Sequence, residues 1–332
     1  MDASEPLSDQ HVIGVDVGGT KILGLVLDGD GRILAKVKRP TQAARGPERV
    51  LERIASVIGD LLERAGLEPS AVRGLGMGIP GTVDPRSGFI DLAPNLNLRQ
   101  FNIRDFVEDE FRIPTTIDND VNLGAYAEHQ FGAGRGKHHL LGVFIGTGIG
   151  AGLILDGRLY AGATSAAGEI GHLCLDPDGP RCDCGFQGCF EAIASRAAIV
   201  RDIAAAVVAG ETCTLGREPD GSLSTRAGAL REAYDQGDPL VRRVIDRAIR
   251  WTGAALGSAA NLLNPELIVL GGGMATAFGE IYLRPVREAV QRRVYEASMA
   301  QVEVALARLG DNAGALGAAW IARERLRTSG SL

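Results

Sequence analysis

Apolar positions along the chain keep two rhythms, and the switch between them predicts its elements. His11 to Val17 is apolar and β-branched and predicts a strand. Gly18-Gly19-Thr20-Lys21 makes a tight turn, Ile22–Leu27 continues as a second strand, and Asp28-Gly29-Asp30-Gly31 turns into a third over Ile33–Val37. The rhythm then becomes helical. Pro47 suits a first turn, and Val50, Ile54, Val57, Ile58, Leu61, Leu62 and Ala65 fall on one stripe. Val72–Ile79 predicts a glycine-rich strand. A long loop follows, carrying Pro80-Gly81-Thr82-Val83-Asp84 and Ala93-Pro94-Asn95-Leu96. Next come a helix over Ile103–Phe111 and a strand over Thr115–Asp118, ending at Asn119-Asp120 where another helix starts.

The second half repeats the opening. Leu140–Ile145 predicts a strand, Gly146-Thr147-Gly148-Ile149-Gly150 a turn, and Ala151–Leu155 the returning strand. A strand, a Gly/Thr turn and a strand thus occur twice, a weak internal duplication. Helices are predicted over Arg196–Ala209 and Leu240–Leu263. Leu267–Leu270 reads as a strand, Gly271-Gly272-Gly273 as a loop before a helix, Val302–Leu306 as the last strand and Asn312–Arg327 as the last helix. Gly210–Ser224 is polar and irregular, a surface insertion.

With 332 residues there is material for two domains with their own cores. The 45% hydrophobic and 23% charged content is that of a soluble globular protein, and a formal charge of −6 gives a nucleic-acid partner no electrostatic help. No apolar run is long enough to span a membrane, and the acidic, polar Met1–Gln10 has no signal-peptide core. Five cysteines, three of them clustered, suit a reducing compartment and a metal better than a disulfide framework, so the cytoplasm is expected.

That cluster is the most specific chemical signal. Cys182-x-Cys184-x4-Cys189 lies ten residues beyond His172, and three thiolates with one imidazole make a closed tetrahedral set, the chemistry of structural Zn2+. Glu169 and Glu191 flank it, so a metal here would hold two carboxylates in place. An imidazole bound through one nitrogen keeps its other N–H free to donate, so His172 can serve as both ligand and substrate contact. Cys174 and Cys213 fall outside the spacing and read as small buried residues.

Other motifs are less specific. The glycine pair in Asp16-Val17-Gly18-Gly19-Thr20-Lys21 lets backbone N–H groups approach an anion. Thr20 and Lys21 add a hydroxyl and a charge, and Asp16 can hold Mg2+ through water. An ordinary hairpin turn explains the same residues, and the Gly146–Gly150 turn carries the same ambiguity. No Walker A loop is present: Gly136-Lys137 is followed by His138 and lacks the upstream glycine. Gly76-x-Gly78-x-x-Gly81 fits the dinucleotide fingerprint nominally, but Pro80 interrupts it and the match is assigned to chance. By position alone, Asn119-Asp120 reads as a helix N-cap.

Taken together, these motifs resemble the ROK family of sugar kinases, within the actin/hexokinase/Hsp70 superfamily, and bacterial ATP-dependent glucokinases most of all. The resemblance covers nearly the whole chain. It rests on Asp16–Lys21, Pro80–Asp84, Ala93–Leu96, Asn119-Asp120, Gly146-Thr147-Gly148, Gly168-Glu169-Ile170-Gly171-His172, the Cys-x-Cys-Gly-x-x-Gly-Cys-x-Glu string and Gly271–Gly273. It implies an α/β, actin-like (ribonuclease H-like) ATPase fold of two α/β domains with a cleft between them. The small domain is expected over residues 1–119 plus 313–332, and the large one, with the zinc knuckle, over 120–312. It also implies roles: Asp120 as catalytic base; Gly81, Asn95, Asn119, Glu169, His172 and Glu191 on the sugar; and Asp16, Gly18, Gly19, Thr20, Lys21, Thr147, Gly148 and Gly272 toward ATP and Mg2+. His172, Cys182, Cys184 and Cys189 would hold Zn2+. The reaction implied is phosphorylation of the 6-hydroxyl of a hexose, most simply glucose, by a homodimer or homotetramer. Kinases for N-acetylhexosamines, mannose or fructose are the alternatives within the family, and polyphosphate is an alternative donor. The family's transcriptional regulators carry a DNA-binding segment ahead of the first phosphate turn, and the eleven residues before Val12 are too few for one. Two departures stand out. The family's Glu-Asn-Asp-Ala-Asn-Ala is here Asp118-Asn119-Asp120-Val121-Asn122-Leu123, and Pro-Asn-Leu continues as Asn97-Leu98-Arg99-Gln100 without Pro-Gly-Trp.

Overall fold

The first predicted hairpin forms as read. β1 (His11–Val17) pairs antiparallel with β2 (Lys21–Leu27), which pairs with β3 (Ile33–Pro40). The structure, a computed structural model, describes residues 11–295 and 301–329; the polar stretch Met1–Gln10 lies outside them. β4 (Val72–Ile79) lies parallel to the other edge of β1. The segment expected to be one long loop instead folds into a small antiparallel sheet of β5 (Thr82–Asp84), β6 (Phe89–Ala93) and β7 (Leu98–Asn102). Each strand is short and buries only one or two residues, Val83, Ile90, Ala93 and Leu98 among them, so no run of alternation marks it in the sequence. β8 (Thr115–Asn119) completes the main sheet in the order β3-β2-β1-β4-β8.

Alternation along β1 divides the packing of this sheet. Ile13, Val15 and Val17 face one side and join α1 (Pro47–Ala65) through Ile54, Val57, Ile58 and Leu61. Val12 faces the other side with Leu23, Leu25 and Leu27, against Ala315 and Ala319 of the C-terminal helix, Ala313–Ser329. Each such fully buried aliphatic side chain contributes about 1.5–3 kcal/mol. Gly14 and Gly76 let that helix lie directly on the strands: a Cβ on Gly76 would stand 1.8 Å from the Ala318 carbonyl oxygen. Gly76 therefore serves close packing, and the nominal dinucleotide fingerprint has no ligand-binding helix behind it. α2 (Ile103–Phe111) and α3 (Asp120–Phe131) follow β7 and β8.

The second sheet repeats the first. β9 (Leu140–Ile145), β10 (Ile149–Leu155) and β11 (Arg158–Leu159) run antiparallel, while β12 (Leu267–Gly271) and β13 (Glu303–Leu306) add parallel to the free edge of β9. Its order, β11-β10-β9-β12-β13, matches the first sheet strand for strand, and both Gly/Thr turns join the first two strands of their sheet. This is the ribonuclease H-like topology, and its repetition is the actin-like ATPase fold. The helices here are α4 (Phe190–Ala194), α5 (Arg196–Val208), α6 (Ala227–Asp235), α7 (Pro239–Leu263), α8 (Gly272–Phe278) and α9 (Glu280–Gln291). α7 starts at Asp238, whose carboxylate accepts from Val241 N at 2.9 Å, and packs its apolar face on α4, α5 and α9. The loop expected at Gly271–Gly273 is absent, since β12 passes straight into α8. Among the described residues no helix is long and apolar enough to cross a membrane.

The described residues up to Phe131, with Ala161–Ala167 and those from Asp311 onward, form one compact unit. Gly132–Tyr160 and the described residues of Gly168–Gly310 form the other.

Candidate active site and metal centre

The expected site residues fall into two groups, one in each unit. In the first unit the β1–β2 turn is closed by the Gly18 N–H donating to the Lys21 carbonyl at 2.9 Å. Fully buried Thr41 braces it, donating its hydroxyl to the Gly18 carbonyl at 2.5 Å and its N–H to the Thr20 carbonyl at 3.0 Å. Gly19 abuts Asn95: a Cβ there would lie 3.0 Å from the Asn95 carbonyl oxygen. Lys21 Nζ pairs with Asp311 at 2.7 Å, and Lys38 holds the other carboxylate oxygen at 2.9 Å. These two ammonium groups, Lys21 first, hold the Asp311 carboxyl down at about 2.

Asp16 sits at the end of β1, and protein packs densely around it. That burial, with a further push from the charge of Asp120, raises its carboxyl to about 7, although Lys21 acts in the opposite direction. Asp120 is the first residue of α3, and its carboxylate accepts from the Val121 N–H at 3.0 Å. Asn119 caps that helix: its side-chain oxygen accepts from Val121 N at 2.9 Å and Asn122 N at 3.3 Å. Its amide donates to the Gly81 carbonyl at 3.3 Å, which draws Gly81, Asn119 and Asp120 together. Beneath them the buried Asp118 accepts from Arg325 Nη2 at 2.6 Å, from Asn119 N at 2.9 Å and from Asn122 Nδ2 at 3.0 Å. No motif announced this brace, because Arg325 follows Asp118 by 207 residues.

In the second unit the Gly168–His172 segment runs beside β10, with Ala151 N donating to the Gly168 carbonyl at 3.2 Å. Glu191 lies in the first turn of α4, and its Oε2 accepts from the Ile149 N–H at 2.7 Å. Gly148 lets the turn approach this carboxylate, since a Cβ there would stand 2.2 Å from that same oxygen and displace it. Gly148 thus lies against the Glu191 carboxylate. Thr147 accepts a hydrogen bond on its hydroxyl from Arg196 Nη2 at 2.5 Å. Gly272, the first residue of α8, lies against the end of β9 at Ile145.

His172, Cys182, Cys184 and Cys189 converge, with one ligand atom from each lying within 4.8 Å of the others. Four ligands on a tetrahedral zinc with bonds near 2.3 Å have edges of about 3.8 Å. The Cys184–Cys189 sulfur separation is 3.7 Å, and that from Cys182 Sγ to His172 Nδ1 is 3.8 Å. The residues therefore fit such an ion. Left to themselves two of the three thiols oppose ionisation: burial and the neighbouring sulfurs push Cys189 up to about 12, and burial raises Cys182. Cys184 is lowered, chiefly by the Phe186 N–H. With Nδ1 turned to Cys182, His172 presents Nε2 to Glu169, 3.8 Å from Oε2. Of the remaining cysteines, both expected to be buried, Cys213 is half-buried and Cys174, bridged to Cys189 through the backbone, is exposed.

Comparison with known proteins places these features in one family. The ROK family pattern matches residues 12–325. A glucokinase of Streptomyces coelicolor is 36% identical over 319 residues, covering 94% of this chain and 97% of that protein. The crystal structure of a ROK hexokinase from Thermus thermophilus superposes with a TM-score of 0.80 at 36% identity, covering 96% of this chain and 100% of that one. A ROK family glucokinase from Streptomyces griseus, crystallised with glucose and AMPPNP, gives 0.79 at 34% identity, over 95% and 99% of the two chains. The chain belongs to the ROK family.

Proposed function

We propose that this protein is an ATP-dependent hexokinase that phosphorylates the 6-hydroxyl of glucose. The observation that carries this reading is the orientation of His172, whose Nδ1 faces the thiol cluster while Nε2 faces Glu169. Such an arrangement holds a donor and a carboxylate acceptor ready for a sugar diol. The names of the relatives at 33–36% identity support glucose as the substrate.

Phosphoryl transfer needs positioning and charge neutralisation more than covalent help. Glu169 and Glu191 accept hydrogen bonds from ring hydroxyls, and His172, Asn95, Asn119 and the Gly81 backbone add further contacts that fix the ring. Asp120 accepts the proton of the reacting hydroxyl as it attacks. The Gly18–Lys21 turn, Thr147 and Gly272 serve the nucleotide. Asp16 would hold magnesium, which neutralises phosphate charge when bound. Cys182, Cys184, Cys189 and His172 would hold zinc, which fixes the imidazole and keeps the thiols as thiolates. The cytoplasm, which keeps thiols reduced, is the compartment that suits this set, and a homodimer or homotetramer is the assembly the family suggests.

The test is a panel of hexoses and N-acetylhexosamines with ATP or polyphosphate, read as relative kcat/KM by coupled ADP release or sugar-phosphate formation. Glucose with ATP is expected to rank first. No hexose-dependent turnover with any donor would overturn the reading.

A further inference from the structure

Arg196 is the first residue of α5, and it and Ala197 make three contacts with the second Gly/Thr turn. Its backbone N–H donates to the Gly146 carbonyl at 3.0 Å, and that of Ala197 to the Thr147 carbonyl at 3.3 Å. Its Nη2 donates to the Thr147 hydroxyl at 2.5 Å, and its Nη1 to the Thr225 carbonyl at 2.5 Å, two residues before α6 begins. The guanidinium thus joins the turn to the start of another helix. Gly273 of α8 closes the same neighbourhood, 3.8 Å from the Ala227 side chain if given a Cβ.

The arginines of this unit divide into those paired with a carboxylate and those held on neutral oxygens, such as Arg242 and Arg287. Arg201, Arg231, Arg243 and Arg247 each pair with a carboxylate. Arg196 pairs with none among the described residues; both its side-chain partners are neutral oxygens. A half-buried guanidinium with five N–H donors, held on neutral acceptors, keeps most of its charge and several donors for an anion.

We propose that Arg196 is a positioning residue for the phosphates of the nucleotide, orienting Thr147 and supplying positive charge beside the turn. This rests on the kinase reading above. A carboxylate partner would have made Arg196 a structural tie, whereas a neutral tether places a cation without cancelling it.

The test compares Arg196→Ala and Arg196→Lys with the unaltered protein, measuring KM for ATP and for glucose separately, and ATP binding by calorimetry without sugar. Losing one charge-assisted contact should raise the ATP KM of Arg196→Ala roughly ten- to hundredfold and leave the glucose KM unchanged. Added guanidinium ion should restore part of the loss, and Arg196→Lys should fall between. An unchanged ATP KM in Arg196→Ala would overturn the inference. So would an equal rise in both KM values with no rescue, the signature of a merely structural tie. If the unaltered protein uses no ATP with any hexose, the kinase reading itself fails; if it does and Arg196→Ala is normal, only this inference fails.

Discussion

Replacing Gly148 by alanine puts a methyl group where the Glu191 carboxylate now lies. The new Cβ would stand 2.2 Å from Oε2 and 3.1 Å from the carboxyl carbon. Ordinary contact requires about 3.4 Å, so the carboxylate must retreat by roughly 1 Å. Gly148 lies outside the left-handed region, so alanine adds no backbone strain and the effect is steric alone. The retreat breaks the 2.7 Å bond from Ile149 N–H that fixes the carboxylate. A hydrogen bond to a charged group is worth about 1.5–3 kcal/mol, or roughly ten- to hundredfold in an equilibrium. If Glu191 grips the sugar, that factor appears in the glucose KM, with the ATP KM little changed. Steady-state kinetics with each substrate varied separately makes the measurement. Melting curves of the variant verify that the fold survives. Glu191→Gln provides the control, and its effect should not add to that of Gly148→Ala, because both act on one group. A variant with a normal glucose KM and a raised ATP KM would refute the argument.

Other outcomes follow from the same structure. Asp120→Asn should keep the fold and glucose binding but lose kcat by orders of magnitude; near-normal turnover would remove Asp120 from the chemistry. Cys184→Ser should lose zinc, by elemental analysis, and glucose affinity together, or fail to fold, since a structural zinc is worth about 10 kcal/mol or more; a zinc-free, fully active protein would contradict this. Asp16→Asn should abolish activity yet stabilise the metal-free protein at high pH. Folding raises the Asp16 carboxyl from 3.8 to about 7, so its ionisation costs stability progressively between those values, reaching about 4 kcal/mol above pH 7. The gain in melting temperature should therefore grow from pH 4 to pH 7 and then level off; a constant gain across that range would show that burial does not shift this carboxyl.

Most of the framework was legible because its elements obey simple periods. β1, β4, β9 and α1 begin and end where alternation, helical spacing, Pro47 and the glycine turns place them. The gathering of the four candidate metal ligands was legible too, because Cys182, Cys184 and Cys189 are close in sequence and their chemistry is narrow. What escaped was built from distant residues or short segments. The β5–β7 sheet has too few inward residues to show a rhythm, and α8 starts on a Gly272-Gly273 pair that reads as loop. The Asp118–Arg325 brace and the Lys21–Asp311 pair join residues far apart in the chain, and only the fold brings them together. The close packing at Gly76, against the C-terminal helix, and at Gly148, against the Glu191 carboxylate, also joins distant parts of the chain and left no sign in the sequence.

The account turns on Asp120 meeting the reacting hydroxyl of a hexose. A crystal structure of the zinc-loaded protein with glucose and a non-hydrolysable ATP analogue tests this directly. The expected result is an Asp120 carboxylate oxygen about 3 Å from the sugar O6, with Glu169, Glu191 and His172 Nε2 on the other hydroxyls. Glucose bound away from Asp120, or an O6 facing no carboxylate, would contradict it.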